Sequence, residues 1–210
     1  MKIEIWSDIA CPFCYIGKRR LEQALEQFEH KDKVTIEWKS YLLNPDLVPE
    51  PGQSLYAYLS KSKGWSMAYT MQANQQVLEM AREVGLNYQL DKVRIANTTD
   101  AHRIIQLAKQ RGLDDTIEEA FFDAYFTKGA DLGDHEVLVD IAVRAGISES
   151  EARKVLNEQL LGDKISQDIY ESTQIGVRGV PFFVFDNKYG ISGAQPLEVF
   201  TRTLNQVMGI

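Results

Sequence analysis

Strand-type periodicity is confined to the two ends of this chain, and that distribution limits the fold more than any other feature. Near the start, Ile3, Glu4, Ile5 and Trp6 read as a short apolar strand. Val34, Ile36 and Trp38 then alternate with Thr35, Glu37 and Lys39 in the period of two that predicts a second strand ending near Ser40. Between them Gly17, Leu21, Leu25 and Phe28 recur at the three-to-four spacing of one helix face. Near the end, Phe182 to Phe185, a turn at Asp186-Asn187 and Tyr189 to Ser192 predict a hairpin. Pro196 then starts a last helix buried through Leu197, Phe200, Leu204 and Val207. The chain opens β-α-β and closes α-β-β-α.

What lies between is helical. Asn44-Pro45, Pro49 and Pro51-Gly52 break regular structure, and about 110 residues follow without a convincing strand. Val77, Met80, Ala81 and Val84 form one stripe closed by Gly85. Ile104, Ile105 and Ala108 form another, with Thr98 or Thr99 as cap and Gly112 as stop. Phe121, Phe122, Tyr125 and Phe126 supply a third stripe. Asp134 caps a helix carrying Val137, Leu138 and Ile141, Ser148 with Glu151 reads as a capping box, and Asp163 begins a helix ending at Gly176. At 210 residues and 44% hydrophobic, the chain can bury a substantial core as one domain or two intertwined ones. The expected class is α/β: a thioredoxin-like fold in two halves, residues 1–52 and 163–210, with an all-α helical domain, 53–162, inserted between the β-α-β and β-β-α portions.

Both cysteines of the chain fall in Cys11-Pro12-Phe13-Cys14, at the turn from the first strand into the first helix. Helical rise leaves the Cα atoms of positions i and i+3 roughly 5 to 5.5 Å apart, within the span a disulfide bridges. A thiol attacks a disulfide only as thiolate, and the amides and dipole of a helix start favour that anion, so the Cys11 pKa is expected to be depressed. Pro12 suits the first helical position, where a missing N–H costs nothing. Cys11 is therefore the expected nucleophile and Cys14 the resolving thiol, with Pro12 and Phe13 tuning the potential. Phe13 neither donates a hydrogen bond nor carries charge. The competing readings are a structural disulfide, two buried thiols, or half of a metal site. A loop this short would gain little from a bridge, and a metal would need two further ligands. His30, His102 and His135 are scattered singly, so no metal is expected.

The net charge of −7, with no Lys/Arg run interleaved with aromatics, argues against a nucleic-acid surface. No stretch approaches the 18 or more apolar residues of a membrane span. Met1 is followed almost at once by the first strand, so no signal peptide is expected and the cytoplasm is the expected compartment. In a reducing compartment a CxxC pair reads as catalytic.

The run Ser7-Asp8-Ile9-Ala10-Cys11-Pro12-Phe13-Cys14-Tyr15-Ile16-Gly17, the tail GVRGVPFFVF, Asn97-Thr98 with Ala101-His102-Arg103, and Ser192-Gly193-Ala194-Gln195-Pro196 resemble the DsbA-like thioredoxin-fold oxidoreductases, in particular their FrnE-type cytoplasmic branch. The resemblance spans the whole chain and implies a protein-disulfide oxidoreductase. It implies a cis Val180-Pro181 peptide facing the dithiol, with Val180 pairing to substrate; a trans proline merely starting the strand is the alternative. Gly193, Ala194 and Gln195 precede a helix start where amides hold a carboxylate of a thiol tripeptide or peptide, or simply cap the helix. Asp8 or Glu4 can relay a proton to Cys14, or serve as a turn residue and an edge-exposed strand position, respectively. His102 can support the thiolate or be an ordinary buried or surface histidine.

The implied partners are thiol- or disulfide-containing proteins or peptides, and the chain itself is expected as a monomer or homodimer. No tightly bound cofactor is implied beyond the redox-active Cys11-Cys14 disulfide, with glutathione or another small thiol as co-substrate. Kappa-class glutathione transferases and hydroxychromene-carboxylate isomerases resemble the same architecture, so a glutathione-dependent isomerase or transferase is the alternative function. Those enzymes generally carry serine where this chain has Cys11. A third reading, a chaperone-like module sensing redox state, rests on the aromatics Trp65, Tyr69, Phe121, Phe122, Tyr125 and Phe126.

Overall fold

The computed structural model describes all 210 residues. The chain divides into two compact units, Met1–Leu43 with Asp163–Ile210, and Asn44–Gly162. The first division thus falls ahead of Pro49 and Pro51, and the second at the start of the helix expected from Asp163.

The first unit is built on a four-stranded sheet in the order β2-β1-β3-β4, with β1 at Lys2–Ser7, β2 at Thr35–Ser40, β3 at Phe182–Phe185 and β4 at Tyr189–Ser192. β1 runs parallel to β2, with Ile3 opposite Ile36 and Ile5 opposite Trp38. It runs antiparallel to β3, with Ile3 opposite Phe185 and Ile5 opposite Phe183. β3 and β4 form the hairpin, and Asp186 and Asn187 at its tip both take positive φ, 47° and 55°. Two consecutive left-handed residues are what a turn matching strand twist demands, and Asp and Asn tolerate them.

One face of the sheet is apolar because alternate side chains share a face. Ile3, Ile5, Trp38, Phe183, Phe185 and Ile191 pack there against Leu21, Ala24 and Phe28 of the α1 region and against Phe200 and Leu204. Here α1 is Pro12–Glu26 and the last helix is Leu197–Met208. Each such large side chain contributes about 1.5–3 kcal/mol of burial. The opposite face is wired by polar contacts to the helix Gly162–Gln174. The Trp6 indole N–H donates to the Asp168 carbonyl at 2.8 Å, and the Ser40 N–H to Asp168 Oδ2 at 2.9 Å.

Lys39 Nζ lies 2.8 Å from Glu171, 3.3 Å from both Glu37 and Asp168, and 3.8 Å from Glu4. Burial alone would lower the Lys39 pKa, but the hydrogen bond to Glu171 and the charges of Asp168, Glu37 and Glu171 outweigh it and hold the ammonium well above its ordinary range. Glu4, read from sequence as edge-exposed or a proton relay, stands on the central strand paired to Lys2 at 3.0 Å, its side chain 12% exposed. Pairing of β3 to the far side of β1 is what removes that edge.

The second unit is all helical: α2 Leu55–Lys63, α3 Met67–Glu83, α4 Thr99–Lys109, α5 Asp114–Phe122, α6 His135–Arg144 and α7 Glu149–Asn157. Its core is drawn from the expected stripes, including Val77, Ala81, Ile104, Ile105, Ala108, Phe121, Phe122, Tyr125, Phe126, Leu138 and Ile141. Trp65 and Tyr69 are instead exposed, their rings edge to face at 5.1 Å. Asp134 caps α6 through the Glu136 N–H at 2.9 Å. Ser148 does not complete the capping box: its hydroxyl bonds the Glu151 carboxylate and leaves the helix amides without a side-chain cap. The chain from Asp123 to Thr127 winds as a π-type turn that continues α5.

Candidate active site

β1 ends at Ser7, and a four-residue turn delivers the chain to α1. Asp8 shapes that turn. Its carbonyl accepts the Cys11 N–H at 2.9 Å, Oδ1 accepts the Ala10 N–H at 3.1 Å, and Oδ2 accepts the Leu43 N–H at 2.7 Å. This fixes both the approach to the helix and the exit from β2. Cys11 is the N-cap, in extended conformation, and Pro12 occupies the first helical position. The Cys14 N–H returns to the Cys11 carbonyl at 3.0 Å.

Both cysteines are reduced and buried, Cys11 at 4% and Cys14 at 1% exposure, whereas Phe13 between them is 37% exposed. Burial pushes the Cys14 thiol well above its ordinary range, and the hydrogen bond and charge of Cys11 add to that. The Asp8 main-chain N–H and the Ser7 hydroxyl pull the other way. Cys14 is thus a protonated thiol at neutral pH.

The Val180–Pro181 peptide is cis. The Cys11 thiol donates to the Val180 carbonyl at 3.4 Å, so the loop ahead of β3 reaches the dithiol. Gly17, one turn beyond Cys14, lies directly under Pro181: a Cβ there would stand 3.1 Å from Pro181 Cγ and 3.0 Å from Phe183 Cζ. The Pro181 carbonyl accepts the Gly193 N–H at 2.8 Å, with Gly193 at φ +79°, a conformation that suits glycine. Arg20 on α1 donates to the Ala194 carbonyl at 2.5 Å, and the Gln195 side-chain amide to the Ser192 carbonyl at 2.8 Å. The segment 192–195 is therefore held to both the proline loop and α1.

Of the residues singled out from sequence, Asp8, Cys11, Pro12, Phe13, Cys14, Val180, Pro181, Gly193, Ala194 and Gln195 all belong to the first unit. His102 belongs to the second. It sits on α4, fully buried, with its main-chain N–H bonded to the Thr98 carbonyl at 2.9 Å. Sequence reasoning passed over three residues of the site. Gly17 and Ser7 stand in the run that carries the resemblance but have no site role assigned there, and Arg20 carries no signal. Ser7 was legible, because the alternation of β1 places it on the same face as Ile3 and Ile5, a polar residue in an apolar row.

The family model of the DSBA-like thioredoxin domain matches residues 2–205. The chain is similar to a probable DsbA oxidoreductase from Streptomyces coelicolor, whose crystal structure aligns at TM-score 0.95 and 39% identity over 100% of this chain and 90% of that one. It is 27% identical over 207 residues to YwbO of Bacillus subtilis (strain 168), an uncharacterized protein, covering 97% of this chain and 95% of that protein. The cytosolic disulfide reductase DsbM from Pseudomonas aeruginosa, solved also with GSH, shares the fold at TM-score 0.69 and 14% identity over 100% of this chain and 99% of that one. No helix is long and apolar enough to cross a membrane.

Proposed function

Because the chain belongs to the DSBA-like thioredoxin domain family, we propose that it is a cytoplasmic protein-disulfide oxidoreductase working through the Cys11–Cys14 dithiol. In the reducing direction, the Cys11 thiolate attacks one sulfur of a substrate disulfide. That S–S bond breaks, one substrate thiolate leaves, and Cys11 is left in a mixed disulfide. Cys14 then attacks Cys11 Sγ, and the mixed disulfide breaks. The second substrate thiolate departs with the proton that Cys14 gives up. The substrate gains two electrons and the protein holds them no longer, as a Cys11–Cys14 disulfide. Glutathione or another small thiol reduces that disulfide by two exchanges of the same kind. Substrate lies along the Val180–Pro181 loop, Val180 pairs with its backbone, and Phe13 and residues 193–195 border it.

What supports this reading above all is the contact from the Cys11 thiol to the Val180 carbonyl at 3.4 Å, with Cys14 sealed behind it. The roles divide accordingly: the more open sulfur engages substrate and the enclosed one releases it.

The test is a pair of variants assayed for dithiothreitol-dependent reduction of a protein disulfide. Cys11→Ser is expected to abolish turnover, and Cys14→Ser to accumulate a mixed disulfide visible on a non-reducing gel. Full activity in the Cys11 variant would end the proposal. Glutathione-driven isomerase or conjugation turnover untouched by Cys11→Ser would put the isomerase reading in its place.

A further inference from the structure

Resolution of the mixed disulfide asks a difficult thing of Cys14. Its sulfur must become an anion while 1% exposed, at a site where burial disfavours charge. Asp8, the carboxylate nearest in sequence, has both oxygens committed to the Ala10 and Leu43 amides. It shapes the turn. Something else has to meet the charge.

Ser7 stands next to that sulfur. It closes β1 on the face shared with Ile3 and Ile5, is 0% exposed, and its hydroxyl oxygen is sealed from solvent without a hydrogen-bond partner in the reduced protein. A buried hydroxyl with nothing to bond costs free energy, and such a group in a native structure calls for an explanation. Its neighbour supplies one. The hydroxyl and the Asp8 main-chain N–H both favour that residue's anion over its thiol.

We propose that Ser7 is a catalytic residue of the second thiol exchange: its hydroxyl, idle in the dithiol, donates to the Cys14 sulfur as that sulfur ionises, completing with the Asp8 N–H a two-donor cradle for the resolving thiolate. The bond is made only in the state that reacts, so it lowers the barrier without over-stabilising the ground state. Electrons and atoms follow the exchange given above. Cys14 passes its proton to the departing thiolate, its sulfur bonds Cys11 Sγ, and the hydroxyl keeps its own proton throughout. The inference rests on the two-thiol reading of the site.

Stopped-flow reaction of the reduced protein with dithiobis(nitrobenzoate) separates the steps. Attack by Cys11 releases the first coloured thiolate and closure by Cys14 the second. Losing a hydrogen bond to a charged group raises the pH at which the second phase reaches half its maximum by about one to two units. Each unit costs about tenfold in thiolate, of which about threefold returns as nucleophilicity, so Ser7→Ala slows the second phase about threefold to tenfold at neutral pH. The first phase stays within twofold, and the reduced-state melting temperature does not fall, since the variant removes an unsatisfied group.

An unshifted pH profile for the second phase, or equal slowing of both phases, overturns the role of Ser7. A wild-type protein that releases one thiolate or none overturns the two-thiol reading, and this inference with it.

Discussion

Placing a methyl group on Gly17 tests whether the approach of α1 to the proline loop sets the geometry of the site. Two effects oppose. Replacing a helix-interior glycine with alanine ordinarily gains about 0.8–1 kcal/mol of helix stability. Here the new Cβ would sit 3.0 Å from Phe183 Cζ and 3.1 Å from Pro181 Cγ, where ordinary contacts begin near 3.4 Å, so a buried ring and a proline must each yield by a few tenths of an ångström. Overpacking of this kind costs about 1–3 kcal/mol. Gly17→Ala should therefore be destabilised by up to about 2 kcal/mol, the difference of those terms. Gly17→Val should lose more, because two further methyls meet the same wall. Since Pro181 is one of the two groups that must yield, disulfide-reductase turnover should fall several-fold in Gly17→Ala, a displacement of about 1 Å being able to cost a hundredfold. Urea unfolding and single-turnover reduction measure the two quantities. Gly17→Ala combined with Phe183→Leu, which removes the nearest ring carbon, should recover part of the stability loss as a coupling energy. Should Gly17→Ala gain the full helix propensity and keep wild-type turnover, the close contact does not govern this site.

Lys39→Met leaves the Asp168 side chain, 6% exposed, without its nearest cation, and should destabilise the first unit by about 3–5 kcal/mol in denaturant titration. On the acid side, Glu171 is held below the ordinary glutamate range by Gln167 and then Lys39. Its contribution is present above that range and fades as pH falls through the lowered value, a loss that Lys39→Met should blunt. The raised Cys14 pKa acts at the other end: stability of the reduced protein should hold steady below about pH 8.5, where the unfolded thiol begins to ionise, and fall by about 1.4 kcal/mol per unit above it. Cys14→Ala should show a flatter profile from pH 8 to 10 in urea titrations under reductant, and superimposable curves would contradict the buried thiol. In the helical unit, Arg103 donates to the carbonyls of Gln159 and Leu160, the latter at 2.6 Å, beside left-handed Gln159 and Leu161. Arg103→Lys should lower unfolding stability by about 1–3 kcal/mol, since both carbonyls accept from Nη1 while Nε donates to Asp100 at 3.1 Å, and a single ammonium cannot keep both sets of bonds.

The parts that sequence made legible are those whose signal is local. The cysteine spacing marks the dithiol. Apolar alternation marks β1 and β2, and Asp186-Asn187 marks the hairpin. The helical stripes mark α4 to α6 because each buries a whole face. α2 carries no buried residue, so it offers no apolar period to read. Glu4 looked like an edge position because nothing near it in sequence tells that Val184 will pair alongside. Ser148 and Glu151 had the spacing of a capping box but satisfy each other instead. Gly17 and Arg20 acquire their surroundings from Pro181, Phe183 and Ala194, far away in the chain, and no local pattern announces them.

The pairing of Ile3 with Phe185 has a bearing on biosynthesis. β1 leaves the ribosome about 180 residues ahead of β3, the strand that completes its sheet. At ordinary elongation rates the interval is on the order of ten seconds or more. Throughout it the two sulfurs travel on a nascent chain whose proline loop has not been made, open to whatever oxidant or chaperone meets them. The helical segment, contiguous in sequence, is free to collapse first, and so the redox site is complete only once the Val180–Pro181 loop and β3 have been made.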